Sequence, residues 1–262
     1  MDIYTINNLN LALGYILLIV PLFFLWYFQT GLLKDTLISA LRMTVQLLLI
    51  GVYLEYIFKL NLWWINLLWV VVMVVIASYT ITKRSGLTIK VFILPILFSI
   101  SISLLIIDTY FFGLVIQLDN FFDARYFIPI TGMLLGNCLR TNIIALNSFY
   151  SRLKKEETLY RFFIANGATR GEAVKYFIKD ALQKAFNPTI ATMSVVGLIS
   201  LPGMMTGQIL GGSSPNVAIK YQIMLMLTIF VSAMITVILS ILISNLFVFN
   251  KFDNLKYKIL RK

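Results

Sequence analysis

The sequence contains no histidine, a single cysteine and few charged side chains. Without histidine, the chain lacks the commonest ligand for transition metals and the usual proton shuttle near neutral pH. Cys138 has no second cysteine to pair with, so the chain forms no internal disulfide. Charged residues make up 13% of the chain, against about 25% in soluble domains. These shortages exclude a soluble enzyme, a disordered regulator and a disulfide-stapled secreted domain.

Apolar residues are abundant instead, at 60% of the 262 residues, and the mean hydropathy is +0.88. A helix needs roughly 20 apolar residues to cross the hydrocarbon core of a bilayer. Seven stretches meet or approach that length, which predicts an all-α, polytopic transmembrane helix bundle embedded in the lipid bilayer as a single domain over residues 1–262. The predicted spans are about 9–28, 36–57, 62–82, 88–107, 127–148, 188–210 and 221–247.

The basic residues indicate how these spans are oriented. Seventeen of the 22 lysines and arginines lie in the segments that follow the odd-numbered spans. These segments are the loop between the spans at 9–28 and 36–57, the loop between those at 62–82 and 88–107, residues 149–187, and the residues after 247. Such a bias places those segments in the cytoplasm. We therefore expect the N-terminus outside and the C-terminus inside, and we assign the net charge of +11 to an anionic membrane leaflet, not to nucleic acid.

Residues 149–187 form the long hydrophilic segment of the chain. Leu159, Phe162 and Phe163 are spaced for one helical face, as are Val174, Phe177, Ile178 and Leu182. Gly167 can end a helix in the left-handed conformation, and Thr169 and Glu172 have the spacing of a capping box. The segment is predicted to be a helix, a tight glycine turn and a second helix at the cytoplasmic surface.

Two interpretations of this helix pair stay open. It could anchor a loop in the headgroup region as an interfacial amphipathic element. Alternatively, it could dock into a groove of a cytoplasmic partner. The sharp reversal at Gly167 favours docking, because a helix that lies in the membrane plane does not need one.

Three stretches then resemble one known family. The longest is VVGLISLPGMMTGQILGG at 195–212, followed by Pro215 and by Tyr-Gln-Ile at 221–223; the others are LRMTVQL at 41–47 and PITGMLLGN at 129–137. Together they are similar to the signature of FetB/YbbM-type permeases, the membrane subunits of iron-export ABC transporters. That family also includes plant relatives linked to aluminium tolerance.

The resemblance implies a permease subunit that works as a homodimer in the plasma membrane with two copies of a cytosolic ATPase. ATP and Mg would bind to that ATPase, because this chain has no Gly-x-x-x-x-Gly-Lys-Ser/Thr loop and is not itself an enzyme. No cofactor or metal site is expected in this chain, and the implied cargo is iron or another metal ion leaving the cytoplasm. The residues implied to couple it to the ATPase are Glu156, Glu157, Gly167, Ala168, Thr169 and Glu172.

Polar, proline and methionine side chains in the predicted spans are candidates for a translocation path. Pro202 before Gly203 is expected to break the sixth span, and broken helices occur where protein or a cavity satisfies the exposed backbone. The candidates are Arg42, Gln46, Asn137, Pro202, Met204, Met205 and Gln208. Arg42 could equally reach the headgroups, and methionine more often fills space in a core.

Glycines at four-residue spacing indicate close helix packing, within the subunit or across the homodimer. They are Gly132, Gly136, Gly203, Gly207 and Gly211. Asp108, Asp119 and Asp123 are expected together in an outer loop, as a weak cation site or as solvated side chains.

The main alternative function is an ATP-independent secondary transporter or channel for a small cation or metabolite. It would be expected to show paired intramembrane acids or internal repeats, and the sequence shows neither. A membrane-embedded enzyme is disfavoured, because histidine is absent and Cys138 has no visible base.

Overall fold

The computed structural model describes residues 7–250, 252–256 and 259–260. Within these ranges the chain is helical, with isolated bridges and no β-strand, which confirms the all-α class. The α-helices are α1 (Asn8–Ile16), α2 (Ile19–Tyr27), α3 (Leu33–Leu60), α4 (Trp63–Arg84), α5 (Ile89–Tyr110), α6 (Ala124–Lys155), α7 (Glu157–Ala165), α8 (Arg170–Val195), α9 (Gly203–Leu210) and α10 (Pro215–Val248). A π-helical turn, Phe111–Val115, continues α5.

Five helical stretches of the described chain are long and apolar enough to cross a membrane. They coincide with five of the seven predicted spans and are Leu9–Tyr27, Leu33–Leu60, Trp63–Arg84, Ile89–Val115 and Pro215–Val248. The predicted spans at 127–148 and 188–210 are not among them. Polar residues make the continuous helix α6 less apolar, and residues 188–210 do not form one helix. The total of seven and the orientation of the termini stay predictions.

The chain divides into two compact units, and α1–α3 belong to the first. In this unit the first predicted span consists of two short helices. Pro21 has no amide hydrogen, and its ring disfavours a helical carbonyl at position 17. The amides of Leu17 and Leu18 accordingly bond to carbonyls three residues back, at 3.3 and 3.0 Å, and the helix breaks there.

The second unit is a helix bundle that is centred on α6. This helix packs against α4, α8 and α10, and α5 packs against α4 and α10. Large apolar side chains such as Phe92, Phe149 and Phe177 are fully buried among these helices. Burial of this kind stabilises the bundle where its helices meet, whatever solvent surrounds it.

Local chemistry explains where α6 and α10 begin and end. The Asp123 carboxylate caps α6 by accepting a hydrogen bond from the Arg125 amide at 3.0 Å. Three basic residues in the last turn of α6 face the negative end of the helix dipole. Pro215 occupies the first turn of α10, where its missing amide hydrogen costs nothing.

The helices around 149–187 extend beyond this segment at both ends. α8 runs through Pro188 without interruption from Arg170 to Val195, and the residue at which the chain enters the membrane stays a prediction. Likewise, residues 149–155 continue α6. The coupling segment is therefore built from the end of α6, all of α7 and the first half of α8.

Candidate functional site

The predicted sixth span is broken between α8 and α9. Residues 196–202 are not helical, Val196 forms an isolated bridge with Ser200, and Gly197 has a φ of +88°. The Gly197 amide donates to the Ser200 carbonyl at 3.0 Å. An interrupted helix at this point is what the Pro202-Gly203 pair predicts, although the helix ends seven residues before Pro202.

A cavity of about 280 Å³ lies beside this break and is bounded by α6, α8, α9 and α10. Its polar lining comes from three of these helices, and Met133, Met204, Pro202 and Gly203 add apolar surface. The polar residues are Asn137, Arg140, Thr141, Thr189, Thr192 and Gln222.

Three of these six polar side chains, Asn137, Thr141 and Thr192, donate to a carbonyl in the preceding turn of their own helix. The Asn137 amide donates to the Met133 carbonyl at 2.9 Å, and the Thr192 hydroxyl donates to the Pro188 carbonyl at 2.9 Å. Gln222 differs, because its side chain is buried and its Oε1 has no hydrogen-bond partner among the described residues. A buried amide oxygen without a partner is costly unless something binds it.

Arg140 gives this cavity its charge. The guanidinium is exposed and forms no ion pair within the described part of the chain, and no carboxylate lines the cavity. Across the described residues, no group of three or more His, Cys, Asp or Glu side chains could hold a metal ion. The cavity is therefore polar and cationic.

A second cavity of about 420 Å³ lies next to the first and is mainly apolar. Met193, Met205 and Met226 contribute to its lining, and Met205 is buried. Pro202, Gln222 and Met226 line both cavities, so these three residues form the partition between a polar and an apolar space.

The structure brings together only some of the residues predicted for the translocation path. Asn137, Pro202 and Met204 share the polar cavity, and Met205 lines the apolar one. Gln208 is half-buried on α9 and lines neither cavity. Arg42 and Gln46 lie one turn apart on α3, in the other unit, and both are exposed.

The predicted glycine contacts are sparse within the chain. A Cβ atom on Gly132 would lie 3.9 Å from the Met73 sulfur, and one on Gly136, Gly203 or Gly207 would meet no atom within 4 Å. Gly211 is exposed. A role for these glycines in packing across a homodimer stays a prediction.

Close packing occurs instead along a small polar stripe on α10 that sequence reasoning missed. Ser232, Thr236, Ser240 and Ser244 are buried at four-residue spacing, the signal that would have revealed them. Ser103 of α5 donates to the Ser232 carbonyl at 3.1 Å, and the Cys138 sulfur of α6 lies 3.3 Å from the Ser232 hydroxyl. Through Ser232, the stripe joins α10 to α5 and α6, on the C-terminal side of the α10 residues that line the cavity.

The predicted outer acidic group is not present. Asp108 belongs to α5 and is buried, where its Oδ2 accepts a hydrogen bond from Thr131 at 3.0 Å. Asp119 is exposed and Asp123 caps α6. The expectation was wrong for Asp108 because the helix continues past the predicted end of the fourth span at residue 107.

The predicted turn between two helices is confirmed. Gly167 has a φ of +87°, and its amide and that of Ala168 close the end of α7 by donating to the Ile164 and Phe163 carbonyls, at 3.0 Å each. The Thr169 hydroxyl and the Glu172 carboxylate form both halves of a capping box. The hydrogen bond from the Thr169 amide holds the pKa of Glu172 below its usual range.

The apolar face predicted for α7 is covered only in part. Leu159 and Phe163 are half-buried, whereas Phe162 is 61% exposed and Tyr160 is the buried residue. The Tyr160 hydroxyl donates to the Asp253 carbonyl at 2.8 Å, and burial raises the pKa of Tyr160 to about 12. This arrangement leaves the Phe162 ring on the surface, one turn before Gly167.

Arg152 fastens α6 to α8 beside this turn. Its guanidinium contacts Glu156 at 2.9 Å and Asp180 at 3.2 Å, and it donates to the Tyr176 hydroxyl at 2.8 Å. Hydrogen bonding to Glu156 raises the pKa of Arg152. The hydrogen bond from Lys184, together with Arg152, holds the pKa of Asp180 below its usual range.

The acidic residues predicted to meet a partner are thus occupied within the chain. Glu156 binds Arg152, Glu157 pairs with Arg161 at 2.7 Å, and Glu172 caps α8. The exposed side chains close to Gly167 in the chain include Phe162 and Asn166.

Five helical stretches of membrane-spanning length and apolarity, together with a broken helix beside a polar cavity in the second unit, define a multi-pass helical membrane protein. The chain belongs to the Uncharacterised protein family (UPF0014), whose model matches residues 8–249. This match confirms the resemblance that the sequence stretches indicated.

Named relatives cover most of the chain. It is 33% identical to the UPF0014 membrane protein YjkA of Bacillus subtilis over 238 residues, which is 90% of this chain and 93% of YjkA. It is 30% identical to the Probable iron export permease protein FetB of Escherichia coli, with 99% and 97% covered. It is 36% identical to Protein ALUMINUM SENSITIVE 3 of Arabidopsis thaliana, with 73% and 69% covered. No solved structure matches the chain.

Proposed function

We propose that this protein is the permease subunit of an ABC transporter that exports iron or another metal ion with energy from a separate ATPase subunit. The support is its family, a relative named as an iron export permease, and one structural feature. That feature is α8, a single helix that carries the glycine turn at one end and the polar cavity near the other.

The length of α8 suits it to transmit movement. Its capping box begins at Thr169, and Thr189 and Thr192 line the cavity, so the two sites are about 30 Å apart along the helix. Arg152 and Asp180 fix the first half of α8 to α6. A push on the turn would therefore reach the cavity as a displacement of α8 and α6 together.

The docking interpretation of the turn is supported by the exposed Phe162. An aromatic ring that is 61% exposed beside a tight turn is a suitable anchor for a pocket on a partner. An amphipathic anchor lying flat on the membrane would instead hold its aromatic rings on one continuous face with α8. We assign the ATPase contact to Phe162, Asn166, Gly167 and Ala168, with Thr169 and Glu172 keeping the turn in shape.

The cavity limits the form of the cargo. Its thioethers, amides and hydroxyls are weak metal ligands, and Arg140 repels a bare multivalent cation. We therefore infer that a metal ion crosses with its charge already neutralised by small ligands, and that Gln222 Oε1 accepts a hydrogen bond from that complex. Alternating access would follow from the broken α8–α9 connection.

By the same proposal, the subunit is a homodimer in the plasma membrane, with the N-terminus outside and the C-terminus in the cytoplasm. Homodimerisation would give a partner surface to the glycines of α9, where an added Cβ atom would meet no described atom within 4 Å. It would also provide two copies of the turn for two ATPase subunits.

The test is ATP hydrolysis by the candidate ATPase, co-reconstituted with this protein in liposomes. Phe162→Ala and Gly167→Trp should each remove most of the stimulation that the wild-type permease gives. Phe98→Ala is the matched control, because Phe98 is 54% exposed on α5, which packs against α4 and α10, and it should leave the stimulation intact. Stimulation that is indifferent to Phe162 and Gly167 would overturn the docking assignment.

An ATP-independent secondary transporter remains the second candidate, favoured by one observation. Asp108 is an acidic side chain buried within an apolar helical stretch, a type of residue that such transporters use. Transport into liposomes that contain this protein without any ATPase, driven by a proton gradient, would support this candidate over the first.

A further inference from the structure

Asp108 lies at the wall of a cavity that is separate from the proposed path. The cavity has a volume of about 560 Å³ and is bounded by α4, α5, the segment that leads into α6 and the first turn of α6. The residue Asp108 is 5% exposed, and its Oδ1 has no hydrogen-bond partner among the described residues. Asp108 forms no ion pair within the described chain either.

The remaining lining is mostly apolar and aromatic. Ser101 and Thr109 are the other polar side chains, whereas Phe121, Phe122 and Phe127 form an aromatic wall. Asn66 holds that wall in place by donating to the Phe122 carbonyl at 2.7 Å. The wall is therefore fixed by a partly buried hydrogen bond to α4.

The rim of the cavity faces the side of the bundle. Leu67, Val71 and Val75 of α4 and Leu105 of α5 line it and are exposed. These apolar side chains lie on helical stretches long enough to cross a membrane. A molecule that reaches Asp108 from this side must itself dissolve in hydrocarbon.

We propose that this cavity is a binding site for a hydrophobic organic cation, in which the Asp108 carboxylate pairs with the positive charge. An ionised carboxylate in an apolar cavity is costly unless a cation is paired with it. A proton would remove that cost without needing space, but a volume of about 560 Å³ lies in the range of small-molecule sites. An acyl chain would fill the space but leave the carboxylate unpaired, whereas aromatic faces and a carboxylate together favour a cation.

Binding of radiolabelled tetraphenylphosphonium to the purified protein in detergent tests this proposal. Saturable binding is expected, and Asp108→Asn should weaken it about thirtyfold or more, because a desolvated charge pair loses one partner. The variant keeps the size of the side chain and an acceptor for Thr131. Asp119→Asn, which changes an exposed carboxylate just beyond the same helix, should leave the affinity unchanged.

Two further measurements separate charge from volume. Ser101→Phe should fill the cavity and weaken binding while Asp108 is intact. This variant also tests the site if the Asp108→Asn protein does not fold. Neutral triphenylphosphine oxide should compete poorly for the site.

Labelling with a hydrophobic carbodiimide reports directly on Asp108. Peptide mapping should find the adduct on Asp108, and prior addition of tetraphenylphosphonium should suppress it. The proposal is overturned if Asp108→Asn binds tetraphenylphosphonium as the wild type does. It is also overturned if the neutral compound competes equally well, which would indicate an apolar or lipid site, or if the cation gives no protection, which would indicate a proton site.

Discussion

The two ends of α8 are built in opposite ways. The first end has a complete capping box at Thr169 and is fastened to α6 through Arg152 and Asp180. The last turns contain Pro188 and a threonine hydroxyl that bonds back to it, and the chain leaves the helix after Val195. A helix that is rigid at one end and interrupted at the other can transmit a displacement and convert it into a change of shape.

Breaking the rigid half of α8 should have the largest effect. Proline at the exposed position 179 removes a helical hydrogen bond and clashes with the preceding turn, so Lys179→Pro should lower the free energy of unfolding by about 3 kcal/mol. It should also abolish stimulation of the ATPase, since the turn and the cavity no longer move together. Thermal unfolding in detergent and ATPase assays measure the two effects. Lys179→Ala should leave both intact, and a similar loss in that control would contradict the explanation.

Removing the link between α6 and α8 should have a smaller effect. Arg152→Met keeps most of the side-chain length but loses the contacts to Asp180, Glu156 and Tyr176. Because the guanidinium is partly exposed, we expect a loss of about 1–2 kcal/mol. Arg161→Met is the matched control, as Arg161 pairs only within α7 and is 58% exposed. Equal destabilisation by both changes would show that the link to α8 contributes nothing.

At the interrupted end, a change should affect transport and not stability. Gln222→Leu removes the unpartnered buried oxygen, so stability should be unchanged or slightly higher. Transport into liposomes should fall about tenfold if that oxygen binds the cargo, equivalent to about 1.4 kcal/mol. Met226→Leu, on the same partition, should be neutral. A Gln222 variant that transports normally would remove this residue from the path.

The cap of α8 should contribute a modest amount. Thr169→Ala removes the hydroxyl that accepts from the Glu172 amide, and the loss of such a cap costs about 1 kcal/mol. Thr158→Ala, at an exposed site in α7, should cost less than half as much. Thermal unfolding of the two variants side by side makes the comparison. If the order is reversed, the capping box does not stabilise the turn.

The smallest effect is a dependence of stability on pH. The pKa of Asp180 is lowered in the folded protein by Lys184 and Arg152, so its contribution is fully present above the unfolded value, about 4. It is lost as the pH falls through the lower folded value. The difference in melting temperature between wild type and Asp180→Asn should be constant from pH 7 to about pH 5 and shrink below about pH 4. A difference that stays constant to pH 3 would contradict the assignment.

Local sequence was sufficient to predict the turn at Gly167 but not to predict which residues line the proposed translocation path. The capping box could be predicted because the groups involved lie three residues apart and interact in any helix that begins there. The continuity of α8 through Pro188 could not be predicted, because a proline permits a helix start but does not require one. The exposure of Phe162 could not be predicted, because periodicity shows which residues share a face without showing which part of that face is covered.

The sequence by itself determined the helical class, five of the membrane-length stretches, the family and the turn before α8. Each of these depends on composition or on residues close together in the chain. Tertiary structure alone decided that Asn137, Met204 and Gln222 share a cavity and that Asp108 is buried beside another. Burial and proximity of this kind arise from the packing of helices that are far apart in sequence, and no local pattern encodes which atoms are left without a partner.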